Sequence, residues 1–238
     1  MPPPIFSGTA VGGNVEIHRL HLAEVILPDT SPQPGDLCPV FAYAVRHAAG
    51  LLLFDTGLGE LHPVIENIYQ PQTNPLSAAL ESIGALISDV TAVVNSHLHF
   101  DHCGGNPSFP GIPIFVQASE YEASRDPTYT IPDRVDFAAA DLRPLDGESI
   151  VAPGLTVVPT PGHTPGHQSL VIAADGGPII LAGQAAYTAR EFDDSDNSDP
   201  AGIESAWDRD LCLQSIHALR DYEPALVLFS HDDSVWRP

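Results

Sequence analysis

The segment SHLHFDHCGGN, residues 96–106, places three histidines and one aspartate within six residues, directly after the apolar run TAVVN. In a protein core, three buried imidazoles and a carboxylate would each need a polar partner, so a purely structural role is disfavoured. Side chains of this kind at the end of an apolar run are typical of a strand that ends at a metal site. The segment therefore requires a fold in which a strand delivers ligands to a cation.

The spacing inside the segment predicts more than one cation. His97 and His99 alternate with Leu98, and a strand-like period of two points both imidazoles toward one ion. Asp101 and His102 then face a different direction. Two divergent ligand pairs so close together predict two metal ions a few ångströms apart.

Further ligands must come from other parts of the chain, and strand ends are where we expect them. His163 follows the run LTVVPT and His231 follows ALVLFS, so both are candidate ligands. His167 precedes a strand instead, and we expect it to support a ligand or the structure. Surface or satisfied core positions are expected for the histidines without a metal partner at useful spacing, which are His18, His21, His47, His62 and His217.

Short apolar runs bounded by Gly and Pro predict a chain rich in strands. VFAYAV (40–45) and LLLFDTG (51–57) are expected to form a hairpin with Gly50 in its turn. Further strands are predicted at residues 91–95, 112–117, 155–160, 169–174, 178–183 and 225–230. The predicted elements follow the order strands, helix, strands, and this order occurs twice. It predicts two packed sheets with helices outside. The length of 238 residues suits one domain.

Two longer helices are predicted from apolar residues at helical spacing. The first contains residues 76–87, with Asn74 as its cap and Pro75 at its first helical position. The second follows an acidic loop at residues 191–202 and carries Ile203, Trp207, Leu211, Ile216 and Leu219.

Composition limits the partners and the compartment. The formal net charge is −22, from 31 acidic side chains against nine arginines and no lysine. Such a surface repels phosphate backbones and anionic lipid, which argues against nucleic-acid and membrane partners. The cysteines Cys38, Cys103 and Cys212 follow no disulfide-framework or zinc-finger spacing, which suits a reducing compartment. Without a signal-peptide pattern or an apolar run of about 18 residues, a cytoplasmic protein is expected.

Four sequence blocks together resemble a known family. SHLHFDH matches the HxHxDH signature of the metallo-β-lactamase superfamily. SHLHFDHCGGN, TPGHTPGHQSL, YTAREFDD and LFSHD together resemble the N-acyl homoserine lactonases, quorum-quenching metalloenzymes of that superfamily. The resemblance runs from about Val40 to His231 and is looser over the first four dozen residues and over 125–143. It implies an αββα sandwich, with two mixed sheets packed face to face, helices outside and a two-metal site at one edge.

The resemblance also implies roles for individual residues. The first ion would be held by His97, His99 and His163. The second would be held by Asp101, His102 and His231, with a hydroxide bridging the two ions. Tyr187 falls at the position of a tyrosine that lies against the lactone in these enzymes, although an ordinary packed tyrosine is the alternative. Asp55, at the end of LLLFDTG, is expected to orient a ligand histidine.

Gln184 departs from the family pattern, which has a bridging aspartate at this position. A glutamine offers one carbonyl oxygen and no charge, so it should bridge two cations poorly and weaken loading of the second metal. If both metals remain, the loss of a negative charge should instead strengthen polarisation of a carbonyl. Two further alternatives are an engineered substitution and a side chain that points away from the site.

These observations predict a metal-dependent hydrolase that opens a lactone ring, with an N-acyl homoserine lactone as the leading substrate. The expected attack is by metal-bound hydroxide on the ester carbonyl, with Asp101 moving the proton and Tyr187 donating to the oxyanion. The alternatives are another ester or thioester hydrolase of the same fold, or a metal-binding protein impaired by Gln184.

The identity of the metal and the shape of the pocket are less constrained. Imidazole and carboxylate suit zinc, iron, cobalt and manganese, and availability decides among these metals, with zinc as the leading expectation. The pocket wall is expected in residues 62–75 and 125–137, the least regular segments near the site, and residues 125–134 are expected to act as a lid or substrate loop. A small-molecule substrate and a monomer or homodimer are expected.

Overall fold

The computed structural model describes residues 1–10, 13–194 and 206–238, and in these residues two β-sheets form the centre of the fold. The first sheet contains β1 (Phe6–Ala10), β2 (Gly13–Ile26), β3 (Leu37–His47), β4 (Gly50–Phe54), β5 (Gln72–Thr73), β6 (Val90–Val94), β7 (Pro113–Gln117) and β8 (Asp141–Leu145). The second contains β9 (Ser149–Ala152), β10 (Leu155–Pro159), β11 (Gln168–Ile172), β12 (Ile179–Leu181) and β13 (Leu226–Leu228).

Both sheets are mixed. The first has the strand order β1-β2-β3-β4-β6-β7-β8, with β5 paired to β2. Its strands are antiparallel from β1 to β4 and parallel from β4 to β8. The second has the order β13-β12-β11-β10-β9, and only β12 and β13 pair in parallel among its described strands. The mixed sheets predicted from the sequence are confirmed.

The helices are short and lie between or beside the strands. They are α1 (Pro63–Tyr69), α2 (Leu76–Ser82), α3 (Phe100–Cys103), α4 (Ala118–Ala123), α5 (Ala189–Asp193) and α6 (Arg209–Arg220). Single 3₁₀ turns occur at Ile87–Asp89, Asn106–Ser108 and Pro132–Arg134. Within the described ranges, no helix has the length and apolar character needed to span a bilayer.

Apolar side chains fill three layers. Between the sheets, residues such as Ile17 and Phe54 of the first sheet pack with Val157 and Leu228 of the second. The outer face of the first sheet is covered by α2 and its neighbours. The outer face of the second is covered by α5 and α6. This order of layers confirms the predicted αββα sandwich, because each sheet buries one face on the other sheet and one face on helices.

The predicted hairpin is confirmed, and Gly50 begins its second strand with a φ of 128°. The strands β1, β2, β8 and β9 and the helix α1 were not predicted. β2 mixes His18, Arg19 and His21 with apolar residues and contains a register shift after His21, so it shows no clean alternation.

The boundaries of both predicted helices differ in the structure. Asn74 does not cap α2, because Pro75 is the cap residue and the Asn74 side chain donates to the His21 carbonyl at 3.0 Å. α2 ends at Ser82, two residues before Gly84, whose φ is 71°.

The C-terminal helix starts later than predicted. Asp208 caps α6 through a 3.0 Å bond from the Leu211 amide, so Trp207 precedes the helix and is exposed. The start of the predicted acidic loop is helical, because Thr188 caps α5. The remainder of that loop, and Ile203, lie outside the described residues.

One buried hydrogen bond joins the two sheets near the end of β13. The Tyr43 hydroxyl, on β3 and fully buried, donates to the Phe229 carbonyl at 2.6 Å. We expect Tyr43→Phe to lower the free energy of unfolding by about 1–3 kcal/mol, because it leaves a buried carbonyl without its donor. Denaturant unfolding measures the change. Tyr222→Phe removes an exposed hydroxyl bonded to Glu148 and serves as the control, with a loss near zero; equal losses in both variants would contradict the assignment.

Candidate metal centre

The candidate ligands lie at one edge of the sandwich because several strands end there. β4 and β6 run parallel in the first sheet, and β10, β12 and β13 share one direction in the second. Parallel strands bring their carboxyl ends to the same edge of a sheet. Asp55 follows β4, His97 follows β6, His163 follows β10, Gln184 follows β12 and His231 follows β13. The two sheets are joined at this edge by backbone bonds, such as that from Phe41 N to Ser230 O.

The first candidate set contains His97, His99 and His163, with one ligand atom of each within 4.8 Å of the others. His97 Nε2 lies 3.0 Å from His99 Nδ1, and His163 Nε2 lies 3.3 Å from the same atom. Ligand atoms bound to one zinc ion at about 2.0–2.1 Å in tetrahedral geometry are about 3.3–3.4 Å apart. The observed separations are therefore close to those of one coordination shell.

The second candidate set contains Asp101, His102 and His231. His102 Nε2 and His231 Nε2 are 3.2 Å apart, and Asp101 Oδ2 lies 3.5 Å and 3.6 Å from these two nitrogens. The structure thus brings together all six residues that the family resemblance implied, in the same two groups of three.

Hydrogen bonds behind the imidazoles select the tautomer that leaves Nε2 without a proton. His102 Nδ1 donates to Asp55 Oδ2 at 2.8 Å, and His231 Nδ1 donates to the Pro39 carbonyl at 2.8 Å. Ser96 Oγ donates to Asp55 at 2.8 Å and accepts from His97 Nδ1 at 3.0 Å. Such partners orient metal-binding histidines and raise their basicity. Asp55 therefore has the orienting position that the sequence predicted.

Paired ring nitrogens lie 3.0–3.3 Å apart, so each pair needs either a shared proton or a cation between its lone pairs. Two buried polar atoms at the same edge also lack hydrogen-bond partners in the described structure, Gln184 Oε1 and His163 Nδ1. Unsatisfied buried polar groups are rare and call for an explanation, such as an ion. Imidazole and carboxylate donors at this spacing fit two divalent metal ions.

The electrostatics of the first set keep its imidazoles neutral. Burial, together with the neighbouring imidazoles, holds the pKa of His97 and of His163 well below the usual value. Burial also lowers the pKa of His99 to about 4. Neutral imidazole is the form that binds metal, so these residues are ready to act as ligands.

The second set contains a negative charge. Burial opposes ionisation of Asp101, but His102 and His231 outweigh it and lower the carboxyl pKa. At His102, burial opposes the charged form, while Asp101 and Asp55 outweigh it and raise the imidazole pKa. The two sets therefore differ in charge, because only the second contains a carboxylate.

Gln184 lies in the pocket beside both sets and is 5% exposed. Its backbone N–H donates to His167 Nε2 at 3.0 Å. Gly183, just before it, has a φ of 61°, and a Cβ there would lie 2.7 Å from Ser96 Cβ. Glycine is therefore required where the chain passes Ser96 and turns Gln184 into the pocket. The alternative in which Gln184 points away from the site does not agree with this placement.

His167 and Tyr187 occupy different places around the centre. The His167 ring bonds to Thr160 through Nδ1 and to the Gln184 amide through Nε2, as expected for a supporting residue. Burial lowers its pKa to about 3. The Tyr187 ring stacks on His231 with centroids 5.4 Å apart and meets His163 edge-on at 5.9 Å. Tyr187 thus bridges the two sets at the rim of the pocket.

A pocket of about 260 Å³ opens at the candidate ligands. Its lining includes His99, Asp101, His163, Gln184, Tyr187 and His231, and an apolar wall from Val25, Leu27, Pro28, Cys38, Tyr69 and Phe100. Tyr69 lies in the segment 62–75 that was predicted to form the wall. No residue of the segment 125–137 lines this pocket, although the Tyr129 ring packs on His99 with centroids 4.9 Å apart. The wall at residues 25–32 was not predicted.

The remaining histidines are placed as expected with one exception. His62 caps α1, His47 accepts from the Ala49 amide, and His21 and His217 lie at the surface. His18 is the exception in part: it lies in the core at 7% exposure, and its Nε2 is 3.7 Å from Glu16 Oε2, but neither ring nitrogen has a hydrogen bond in the described structure.

Sequence reasoning missed the polar residues that hold the ligand loops. Gln168 Nε2 donates to the Asn95 carbonyl at 2.7 Å, and Asn106 Nδ2 donates to Asn95 Oδ1 at 2.9 Å. Glu120 is completely buried and bonds to the loops of the first set. Ordinary polar residues in regular elements give no sequence signal of this role.

Comparisons with known proteins agree with this geometry. A profile of the metallo-beta-lactamase superfamily matches residues 35–231. An N-acyl homoserine lactonase from Bacillus sp is 33% identical over 217 residues, which cover 84% of each chain. One from Bacillus cereus is 31% identical with the same coverage.

Solved structures give the same result. A variant of B. thuringiensis AiiA with N-decanoyl-L-homoserine at its active site superposes with a TM-score of 0.77 at 28% identity, covering 91% of this chain and 93% of that one. An N-acyl homoserine lactone hydrolase with N-hexanoyl-L-homoserine at its catalytic metal centre has a TM-score of 0.77 at 27% identity, covering 96% and 95%. The chain therefore belongs to the metallo-β-lactamase superfamily and, within it, to the family of the N-acyl homoserine lactonases.

Proposed function

We propose that this protein is a metal-dependent hydrolase that opens the ring of an N-acyl homoserine lactone. The observation that carries the proposal is the edge of the sandwich, where two sets of three metal-type ligands face one small pocket with an apolar wall. The lactonase relatives support the substrate class, because they share this fold over most of their length.

The proposed centre holds two divalent ions, with zinc as the leading metal because imidazole nitrogen predominates among the donors. The proposed ligands are His97, His99 and His163 for the first ion and Asp101, His102 and His231 for the second. Gln184 contributes a neutral carbonyl oxygen. When bound, such ions lower the pKa of water from 15.7 toward about 7 and polarise an ester carbonyl.

The residues of the chain bind the lactone and handle the proton. Asp101, which lines the pocket, accepts a proton from the attacking water through the carboxylate oxygen that does not bind the ion, and returns it to the departing alkoxide oxygen. The Tyr187 hydroxyl donates to the oxygen on which charge develops. The apolar wall at Val25, Leu27 and Phe100 holds the acyl chain and excludes water. These steps cleave the ester bond and release an acyl homoserine.

The alternatives from the sequence are less well supported. The relatives are lactonases, so they do not favour a thioester or another ester as the main substrate. An impaired metal-binding protein is also not favoured, because both ligand sets are complete in the structure.

We further propose a cytoplasmic protein that folds as one domain and acts on a small molecule as a monomer or homodimer. Three buried cysteines without disulfides support a reducing compartment. The net charge of −22 supports the absence of nucleic-acid and membrane partners.

The test of the proposed function is acid release from a long-chain N-acyl homoserine lactone by the zinc-loaded protein, measured beside Gln184→Asp. We expect turnover by the unchanged protein. The aspartate adds a charge and a second oxygen, so Gln184→Asp should hold zinc about tenfold more tightly or better, which is about 1.4 kcal/mol. At chelator concentrations that silence the unchanged protein, the variant should remain active.

Gln214→Asp is the matched control, since Gln214 is exposed on α6 and the change adds the same charge away from the pocket. It should follow the unchanged protein throughout the chelator titration. No acid release from any lactone by protein that contains zinc would overturn the proposed function.

Tyr187→Phe tests the proposed donor to the oxyanion. We expect kcat to fall by about 10²-fold, because one hydrogen bond to the developing charge is lost. Zinc content should not change, since the ring still stacks on His231. Steady-state kinetics and metal analysis provide the two readouts, and an unchanged kcat would refute the role.

A further inference from the structure

Glu120, on α4, is a buried carboxylate whose four hydrogen bonds reach three separate loops. It is completely inaccessible to solvent. Its Oε1 accepts from the Leu98 amide at 2.9 Å and from the Tyr129 hydroxyl. Its Oε2 accepts from the Thr164 hydroxyl at 2.7 Å and from the Gly166 amide at 3.0 Å. Both oxygens are therefore fully used by donors from other parts of the chain.

Each loop that Glu120 holds carries or contacts a candidate ligand of the first set. Leu98 lies between His97 and His99, and Thr164 follows His163. The ring of Tyr129 packs on the ring of His99 with centroids 4.9 Å apart. The Glu120 carboxylate is thus linked to each of the three imidazoles of the first set by one intermediate residue, which is Leu98, Tyr129 or Thr164.

The fit between α4 and the His163 loop is tight. A Cβ at Gly166 would lie 2.2 Å from the Glu120 backbone nitrogen, so only glycine allows this approach. The second glycine of TPGHTPGH therefore permits contact with α4, although the sequence alone pointed only to its histidines.

The Glu120 carboxylate has no ion-pair partner within the described ranges, although removing a carboxylate from water is costly. Hydrogen bonds to the charged form offset part of this cost. The first set consists of three imidazoles, so a divalent ion there would meet no carboxylate among its three ligands. The second set already has Asp101 as a candidate ligand and Asp55 behind His102.

We infer that Glu120 is a positioning residue for the first metal ion, which orients His97, His99 and His163 and supplies a negative charge beside a ligand set that contains no carboxylate. The inference rests on the proposed function, because it requires metal at the first set. Asp55 has the corresponding place at the second set, through its bond to His102.

The experiment measures Co²⁺ binding by visible absorption in two backgrounds that each keep one ligand set. His231→Ala leaves the first set complete, and His99→Ala leaves the second. Glu120→Gln, which keeps the shape and removes the charge, is placed in both backgrounds. Glu122→Gln, an exposed neighbour on the same helix, is the matched control.

In the His231→Ala background, Glu120→Gln should weaken Co²⁺ binding at least tenfold and change its absorption spectrum, as is typical when the partner of a metal ligand is lost. In the His99→Ala background, Glu120→Gln should not change Co²⁺ binding. The control Glu122→Gln should not change Co²⁺ binding in either background. Equal weakening in both backgrounds would mean a general structural role and would overturn the inference, as would no weakening in either.

Two milder variants keep the inference testable if Glu120→Gln does not fold, as judged by circular dichroism. Tyr129→Phe and Thr164→Val each remove one donor and leave the carboxylate in place. Each should weaken Co²⁺ binding several-fold in the His231→Ala background alone, and the lack of any selective effect would refute the inference. If the unchanged protein bound no Co²⁺, the proposed function itself would fail, which is a distinct result.

Discussion

Nitrogen lone pairs of buried imidazoles face one another at 3.0–3.3 Å where the two sheets meet, and much of the structure serves to hold them there. Two ring nitrogens at this distance need either a shared proton or a cation between them. Strands from both sheets end at this edge, so each ligand is fixed by a regular element on one side and a short loop on the other. Burying these polar groups together costs free energy of folding, and metal binding to the folded state would offset that cost.

Charge is distributed unevenly around this edge. The second ligand set contains Asp101, and Asp55 lies directly behind His102. The first set contains no carboxylate, but Glu120 bonds to the loops that carry it, and Asp55 reaches His97 through Ser96. With Gln184 in the pocket instead of an aspartate, two metal ions at this edge would rely on carboxylates behind the ligands for part of their charge balance. This arrangement distinguishes the chain from the family pattern, in which a carboxylate bridges the ions.

The sequence predicted the parts of the fold that have strong local signals. The cluster of His97, His99, Asp101 and His102 after one apolar run, with His163 and His231 after two others, indicated the six candidate ligands, because a strand end fixes where a side chain goes. β2 escaped prediction because polar residues and a register shift interrupt its alternation. Asn74 looked like a helix cap, but its side chain bonds across to β2 instead. Glu120 and Glu122 are equivalent in sequence, and only the packing of α4 on two loops separates a buried carboxylate from an exposed one.

The central claim is that the two ligand sets hold metal ions, and anomalous diffraction from zinc-loaded crystals tests it most directly. Data collected at the zinc absorption edge should show one peak bonded to His97, His99 and His163, and a second bonded to Asp101, His102 and His231. A weaker second peak would agree with the neutral Gln184. The absence of a peak at both sets, in crystals of protein exposed to excess zinc, would contradict the claim.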